Sequence, residues 1–124
     1  MEFIQFTLSS TGRYLYEDAS NIAMNILGNF LCTDINNDSS SFKEWLYNNK
    51  FDRACGNLTI LDKENECILL SDLYSEEINP TELKMTSSQF LQILDDWEEK
   101  VIKKKPKEVI IIYKNNEFTI ETKD

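Results

Sequence analysis

The sequence predicts an α+β domain in which helices pack on a mostly antiparallel sheet. Short segments with strand composition follow one another through polar turns, which favours hairpins and therefore antiparallel pairing. Between the hairpins, apolar residues recur at helical spacing over residues 19–30 and 90–101. The predicted order is β-α-α-β-β-(β)-α-β-β. A chain of 124 residues fits a single domain, residues 1–124, because domains cluster near roughly 100–150 residues.

The first quarter of the chain predicts a strand followed by an amphipathic helix. Residues 2–8 are rich in Phe, Ile and Thr, as strands are, and Gly12 indicates a turn after them. The helix is predicted to run to about Leu31 and to bury one apolar stripe. That stripe consists of Ala19, Ile22, Ala23, Ile26, Leu27 and Phe30. Residues 34–41 are predicted to form a polar loop, and a short helix with Phe42, Trp45 and Leu46 on its inner side follows.

The middle of the chain predicts a hairpin of two interior strands. Two apolar runs within residues 57–73 flank a charged tip at residues 62–66. Both runs are apolar on both faces, which is typical of strands inside a sheet rather than at its edge. An acidic connection over residues 75–80 and a short strand at residues 82–85 complete this region.

Residues 85–106 carry the signals of a capped helix. Thr86 and Gln89 have the spacing of a capping box, and Met85 and Phe90 have that of a hydrophobic staple. Lysines follow acids along the helix and complement its dipole, and Pro106 is expected to end it. The stripe predicted to be buried consists of Phe90, Ile93, Leu94, Trp97 and Val101.

A second hairpin is predicted at the C-terminal end. Residues 108–114 are apolar on both faces and suit a central strand. Asn115 and Asn116 tolerate positive φ and therefore suit a two-residue turn. Phe118 and Ile120 then alternate with polar residues, as in a half-exposed strand.

The charge of the chain is negative and unevenly distributed. The formal net charge is −9, and residues 56–99 alone contain eleven acids against two lysines. A negative field attracts basic proteins and repels nucleic acid. The lysines at 103–105 and 107 are better explained as complementing a helix C-terminus than as a nucleic-acid patch. We therefore expect a basic protein partner and no nucleic acid.

Composition argues against several functional classes. The chain has no histidine, no glycine-rich phosphate motif and no CxxC spacing, so we expect no catalytic residue, no metal and no cofactor. Its three cysteines suggest buried, reduced thiols in a cytoplasmic protein. No apolar run is long enough to span a membrane, and no signal peptide is evident. Catalysis by paired carboxylates stays open as an alternative.

Two acidic segments are the candidate binding sites. Binding residues concentrate on loops, tyrosine is common at interface hot spots, and carboxylates pair with arginine. Two interpretations stay open for the first segment, a binding loop or an ordinary acidic connection. The four acids around Trp97 are instead assigned to the solvated face of the helix. The candidates are Asp72, Tyr74, Glu76 and Glu77 in the first segment, and Asp62, Glu64 and Glu66 at the hairpin tip.

The C-terminal part resembles a known class of proteins. The string MTSSQFLQILDDWEEKVIKKKPKEVIIIYKNNEFTIE combines a capped helix, a KPKE link and a final hairpin. In this, residues 82–121 resemble small acidic bacterial immunity proteins encoded beside polymorphic toxins, including those of contact-dependent growth inhibition. The resemblance implies a single-domain cytoplasmic inhibitor that binds the C-terminal domain of a cognate toxin, often a nuclease with a basic groove. It implies no particular binding residues.

The sequence therefore predicts an immunity protein, not an enzyme, that masks the active site or substrate groove of a basic toxin. The alternatives are an acidic adaptor for another basic protein, a DNA mimic, or a small enzyme that works through carboxylates. We take the chain to be a monomer.

Overall fold

The computed structural model describes residues 1–35, 39–48 and 50–124. Within these residues it contains three α-helices and eight strands, which confirms the predicted α+β class and the order of the predicted elements. Two strands, the six-residue β2 and the three-residue β3, are additional to the prediction. The elements are β1 (Glu2–Leu8), β2 (Tyr14–Ala19), α1 (Ile22–Asn29), α2 (Ser40–Tyr47), β3 (Arg53–Cys55), β4 (Thr59–Glu64), β5 (Cys67–Asp72), β6 (Glu82–Thr86), α3 (Ser87–Trp97), β7 (Glu108–Lys114) and β8 (Glu117–Lys123).

The strands form two antiparallel sheets of four strands each. The first sheet has the order β2-β1-β7-β8 and joins the two ends of the chain, and the second has the order β3-β4-β5-β6. Strands β4, β5 and β7 are interior, as their two-faced apolar patterns predict. The sequence does not predict that the strands divide into two sheets, because hairpin patterns do not specify which hairpins lie side by side.

Helices α1 and α3 join the two sheets through a common core. Helix α1 contacts β1 and β2 of the first sheet and β5 and β6 of the second, and α3 contacts β8, β5 and β6. Trp97 is 2% exposed, with its ring centre 5.1 Å from that of Phe6 and 5.9 Å from that of Tyr14. Its predicted place in the core is confirmed, as is that of the rest of the predicted stripe, in which Val101 lies just beyond the end of α3.

Local signals fix the turns and helix ends. Thr86 and Gln89 form both hydrogen bonds of the capping box. Positive φ values at Asn115 (53°) and Asn116 (63°) confirm the predicted two-residue turn. Helices α1 and α3 each continue as a π-helical turn, α1 over Phe30–Ile35 and α3 over Glu98–Ile102. The helical segment that begins with α3 therefore ends at Ile102, four residues before Pro106, where the sequence predicted its end.

The predicted polar loop at residues 34–41 is in part helical. Asp34 lies in the π-helical turn after α1, Ser40 begins α2, and residues 36–38 lie outside the described residues. The Oδ1 atom of Asp34 accepts hydrogen bonds from the amides of Asn57 (2.7 Å) and Leu58 (2.9 Å). This carboxylate therefore ties the end of the first helical segment to the start of β4.

The expectation of three buried cysteines is wrong for Cys55. It is exposed because β3 is an edge strand and Cys55 lies on the outer face of the second sheet, opposite Ile60. Cys32 and Cys67 are half-buried, and all three thiols are free. In the part of the chain that the structure describes, no helix has the length and apolar character that crossing a membrane requires.

Candidate partner-binding surface

The loop between β5 and β6, residues 73–81, begins with a series of tight turns. The amide of Tyr74 donates to Oδ1 of Asp72 at 2.9 Å, and the amide of Ser75 donates to the carbonyl oxygen of Asp72 at 3.2 Å. The amide of Leu73 donates to the carbonyl oxygen of Leu58 at 2.9 Å. Asp72 therefore has a structural role, and one of its oxygens shapes the loop that follows.

This loop exposes large apolar side chains among its acids. Tyr74 is 70% exposed and Ile78 is 97% exposed, and Glu76 and Glu77 beside them are also exposed. Isolated apolar residues are common on protein surfaces, but a group of them rimmed by charge is typical of an interaction site. Ile78 was not among the predicted residues, although an isolated isoleucine in a polar connection was a usable signal.

A cleft of about 270 Å³ separates the loop from α1. Asp72 and Glu77 line it on the loop side, and Ile22 and Ile26 line it on the helix side together with Tyr16 of β2. The helix side of the cleft thus combines apolar side chains with those of Asn25 and Asn29, and it faces the two carboxylates. Ile22 was predicted to belong to the buried stripe of α1, but it is 62% exposed because the buried face of the helix begins at Met24 and continues through Leu27. We call Ile22, Asp72, Tyr74, Glu76, Glu77 and Ile78 the loop surface.

A glycine in α1 brings Tyr16 to this cleft. A Cβ atom at Gly28 would lie 2.3 Å from Cδ1 of Ile4 and 3.0 Å from Cδ1 of Tyr16. A larger residue at position 28 would have to displace the side chains of Ile4 and Tyr16. The close approach of helix and strands therefore depends on Gly28, and it places the Tyr16 ring beside the loop surface.

The three residues predicted at the hairpin tip lie in different environments. The turn consists of Asn65 and Glu66 alone, with φ values of 49° and 65°. Glu66 is exposed, and its carbonyl oxygen accepts from the amide and hydroxyl of Ser87 at 2.9 and 3.0 Å. Glu64 is exposed at the end of β4. Asp62 is not at the tip: it lies within β4 and accepts from Nε of Arg53 at 2.7 Å.

The structure does not bring the two predicted groups together. Asp72 pairs with Thr59 at one end of the β4–β5 hairpin, and Glu64 pairs with Cys67 at the other end. Five residue steps separate these ends, which corresponds to about 17 Å at ~3.3 Å per residue. The loop surface and the hairpin tip are therefore separate surfaces.

Neither of the two lysines in the acidic residues 56–99 neutralises the loop surface. Lys63 points inward, where its ammonium donates to the carbonyl oxygens of Trp45 (2.6 Å) and Asn48 (2.7 Å). Lys84 is exposed on β6 and pairs in register with Leu69. Within residues 1–35, 39–48 and 50–124, the carboxylates of Asp72, Glu76 and Glu77 form no ion pair.

A further group of acids was not predicted at all. Glu17 and Asp18 of β2 and Glu108 and Glu121 of β7 and β8 belong to the same sheet, although they are up to about a hundred residues apart in sequence. Counting charges along the sequence does not reveal this group, because its members lie in segments that contain few other acids. Strand pairing is what collects them.

The described residues offer no group of three or more His, Cys, Asp or Glu side chains arranged to hold a metal ion. The protein is therefore an α+β domain whose loop surface is exposed and combines carboxylates with apolar side chains. No family model, no curated protein and no solved structure matches the chain.

Proposed function

We propose that this chain is an immunity protein that binds a basic toxin domain, for which a nuclease is the best-suited candidate, and masks its active site or substrate groove. The observation that carries the proposal is the loop surface: three acids and a tyrosine predicted from the sequence, together with Ile78 at 97% exposure, are exposed beside a cleft that Asp72 and Glu77 line. Exposed apolar groups supply binding energy, and the carboxylates supply selectivity for a basic partner.

Electrostatics favours a partner whose own ligand is an anion. A nuclease groove attracts phosphate with arginine and lysine, and the same groups attract carboxylates. The acidic residues of the loop surface and the net charge of −9 would steer association and make its rate fall with ionic strength. Inhibition then needs no catalytic group on this chain, in agreement with the proposal that it is not an enzyme.

The resemblance to immunity proteins supports the proposal from a separate direction. The residues that carry it form α3, β7 and β8, which build the core and the first sheet. Such residues specify a scaffold, and the loop surface lies outside them. We propose Asp72, Tyr74, Glu76 and Glu77 as the main contacts, Asp62, Glu64 and Glu66 as a peripheral rim, and the cytoplasm as the location.

Co-expression with the protein encoded directly upstream tests this function. The expected result is that the two proteins co-purify and that this chain restores the growth of cells that the upstream protein inhibits. If the upstream protein is not toxic and a different basic protein binds at the loop surface, the chain is an adaptor. If many unrelated DNA-binding proteins bind equally, it is a DNA mimic. Either outcome overturns the immunity function.

A further inference from the structure

The outer face of the first sheet lies opposite the helices. Val109 and Ile111 of β7 are 2% and 0% exposed and point to the core, so the alternate residues Ile110 and Ile112 point outward. Ile110 is in register with Gln5 of β1 and Glu121 of β8. This row gives the outer face an apolar centre at Ile110, which is only half-buried.

Acids surround that centre. Glu108 lies two residues from Ile110 on the same face of β7, and Asp18 of β2 is in register with Gln5. A β-bulge between Gln5 and Phe6 leaves Glu17 as an extra residue on β2. The only base in the rows that contain Asp18, Glu108 and Glu121, as the structure describes them, is Lys123, which is in register with Glu108.

The acids and the apolar centre form one concave site. A cleft of about 270 Å³ is lined by Gln5, Ile110, the three acids Glu17, Glu108 and Glu121, and one base, Lys123. In the described ranges, the four acids Glu17, Asp18, Glu108 and Glu121 take part in no ion pair. We call these four acids with Gln5 and Ile110 the sheet surface.

We propose that the sheet surface is a second docking site, which binds a basic segment of a protein partner. Lysine and arginine can lay their alkyl stems on Ile110 while their charged heads reach the carboxylates of Glu17, Glu108 and Glu121. The sheet surface shares no residue with the loop surface, so it does not depend on the function proposed above.

Charge selects this occupant over a second copy of the chain. A symmetric dimer through the sheet surface would bring the same acids of both copies face to face, and like charges across an interface are unfavourable. The outer face of the second sheet is different. One of its rows holds Arg53, Asp62, Leu69 and Lys84, so in that row two bases oppose a single acid.

An NMR titration with the peptide Lys-Leu-Lys-Ala-Lys-Leu-Lys tests the proposal. We expect amide shifts at Gln5, Glu17, Ile110 and Glu121, and no such shifts with the peptide in which glutamate replaces lysine. Because paired charges are lost, Glu108→Lys with Glu121→Lys should weaken binding about tenfold or more. Shifts confined to the loop surface, or a dimer in sedimentation that the charge reversal dissolves, would overturn the proposal.

A control of equal charge separates this site from general attraction. Glu44→Lys with Glu117→Lys changes the net charge by the same amount, at an exposed position on α2 and at the far end of β8. It should leave the peptide affinity within about twofold. Equal weakening by both pairs would show that only net charge matters. Should the lysine pair fail to fold, Glu108→Gln with Glu121→Gln replaces it, and unchanged affinity would likewise contradict the proposal.

Discussion

The ammonium group of Lys63 donates to the carbonyl oxygen of Trp45 at 2.6 Å and lies 4.7 Å from the centre of the Trp45 ring. It also donates to the carbonyl oxygen of Asn48 at 2.7 Å. These carbonyls belong to the C-terminal end of α2, where the helix dipole favours a cation. One side chain of β4 thus joins α2 to the second sheet. Because this ammonium group points inward, its positive charge does not offset the exposed acids of residues 56–99.

Replacing Lys63 with methionine should therefore destabilise the fold, even though it only removes one of the two lysines from the acidic residues 56–99. Loss of hydrogen bonds from a charged donor costs about 1–3 kcal/mol, and loss of the cation–π contact adds to it. Urea unfolding measures the change. Lys84→Met is the matched control, because Lys84 is exposed on β6 and its replacement should change the free energy of unfolding by less than about 0.5 kcal/mol. Equal effects of the two substitutions would contradict the role of Lys63.

Trp97→Ala should cost about 3–5 kcal/mol, the usual range for truncating a buried tryptophan. Trp97 is 2% exposed and joins α3 to the first sheet through Phe6 and Tyr14. Denaturant unfolding gives the value, and Trp97→Phe should restore part of the loss because it keeps an aromatic ring in the core. A loss below about 1 kcal/mol would place the indole outside the core.

Stability should fall at alkaline pH through Tyr14. Burial, and to a lesser extent the charge of Asp124, raises the pKa of Tyr14 from 10.0 to about 12. The unfolded chain therefore loses this proton first, so the contribution is complete below about pH 10 and is lost as pH rises to about 12. Tyr14→Phe should be less stable at neutral pH, because the hydroxyl donates to the carbonyl oxygen of Pro106. The difference from wild type should narrow between pH 10 and 12, and a constant difference would contradict the shift.

The three thiols should react in a fixed order. Burial raises the pKa of Cys32 to about 12, so little thiolate forms at mild pH. Cys55 is exposed at the edge of the second sheet. Alkylation of the native protein followed by peptide mass spectrometry should find Cys55 modified first and Cys32 last. In denaturant the order should disappear. Rapid modification of Cys32 in the native protein would show that its site opens readily.

The sequence predicts those elements whose signals are local. The capping box at Thr86 and Gln89 and the turn at Asn115 and Asn116 need only a few neighbouring residues, and both are as predicted. Strand β2 was missed because its residues after Tyr14 are almost all exposed, so it lacks a buried face. Strand β3 was missed because it has three residues.

The surfaces were harder to predict than the elements. The exposed acids of the loop follow one another in sequence, so charge counting found Glu76 and Glu77. Asp62 was misplaced at the tip because the turn takes only two residues and the strand extends to Glu64. The sheet surface requires Glu17 and Glu121 to lie on one face of the first sheet. This depends on the pairing of β2 with β1, of β1 with β7 and of β7 with β8, which the sequence does not specify.

The most direct test of the proposed function is the association rate of this chain with the upstream-encoded toxin domain at low salt. Reversing Glu76 and Glu77 to lysine should lower the rate constant about tenfold or more, because steering by these exposed acids is lost, and should weaken growth rescue. Glu44→Lys with Glu117→Lys carries the same net charge and should leave the rate within about twofold. An unchanged rate and full protection in the Glu76/Glu77 variant would contradict the loop surface as the binding site.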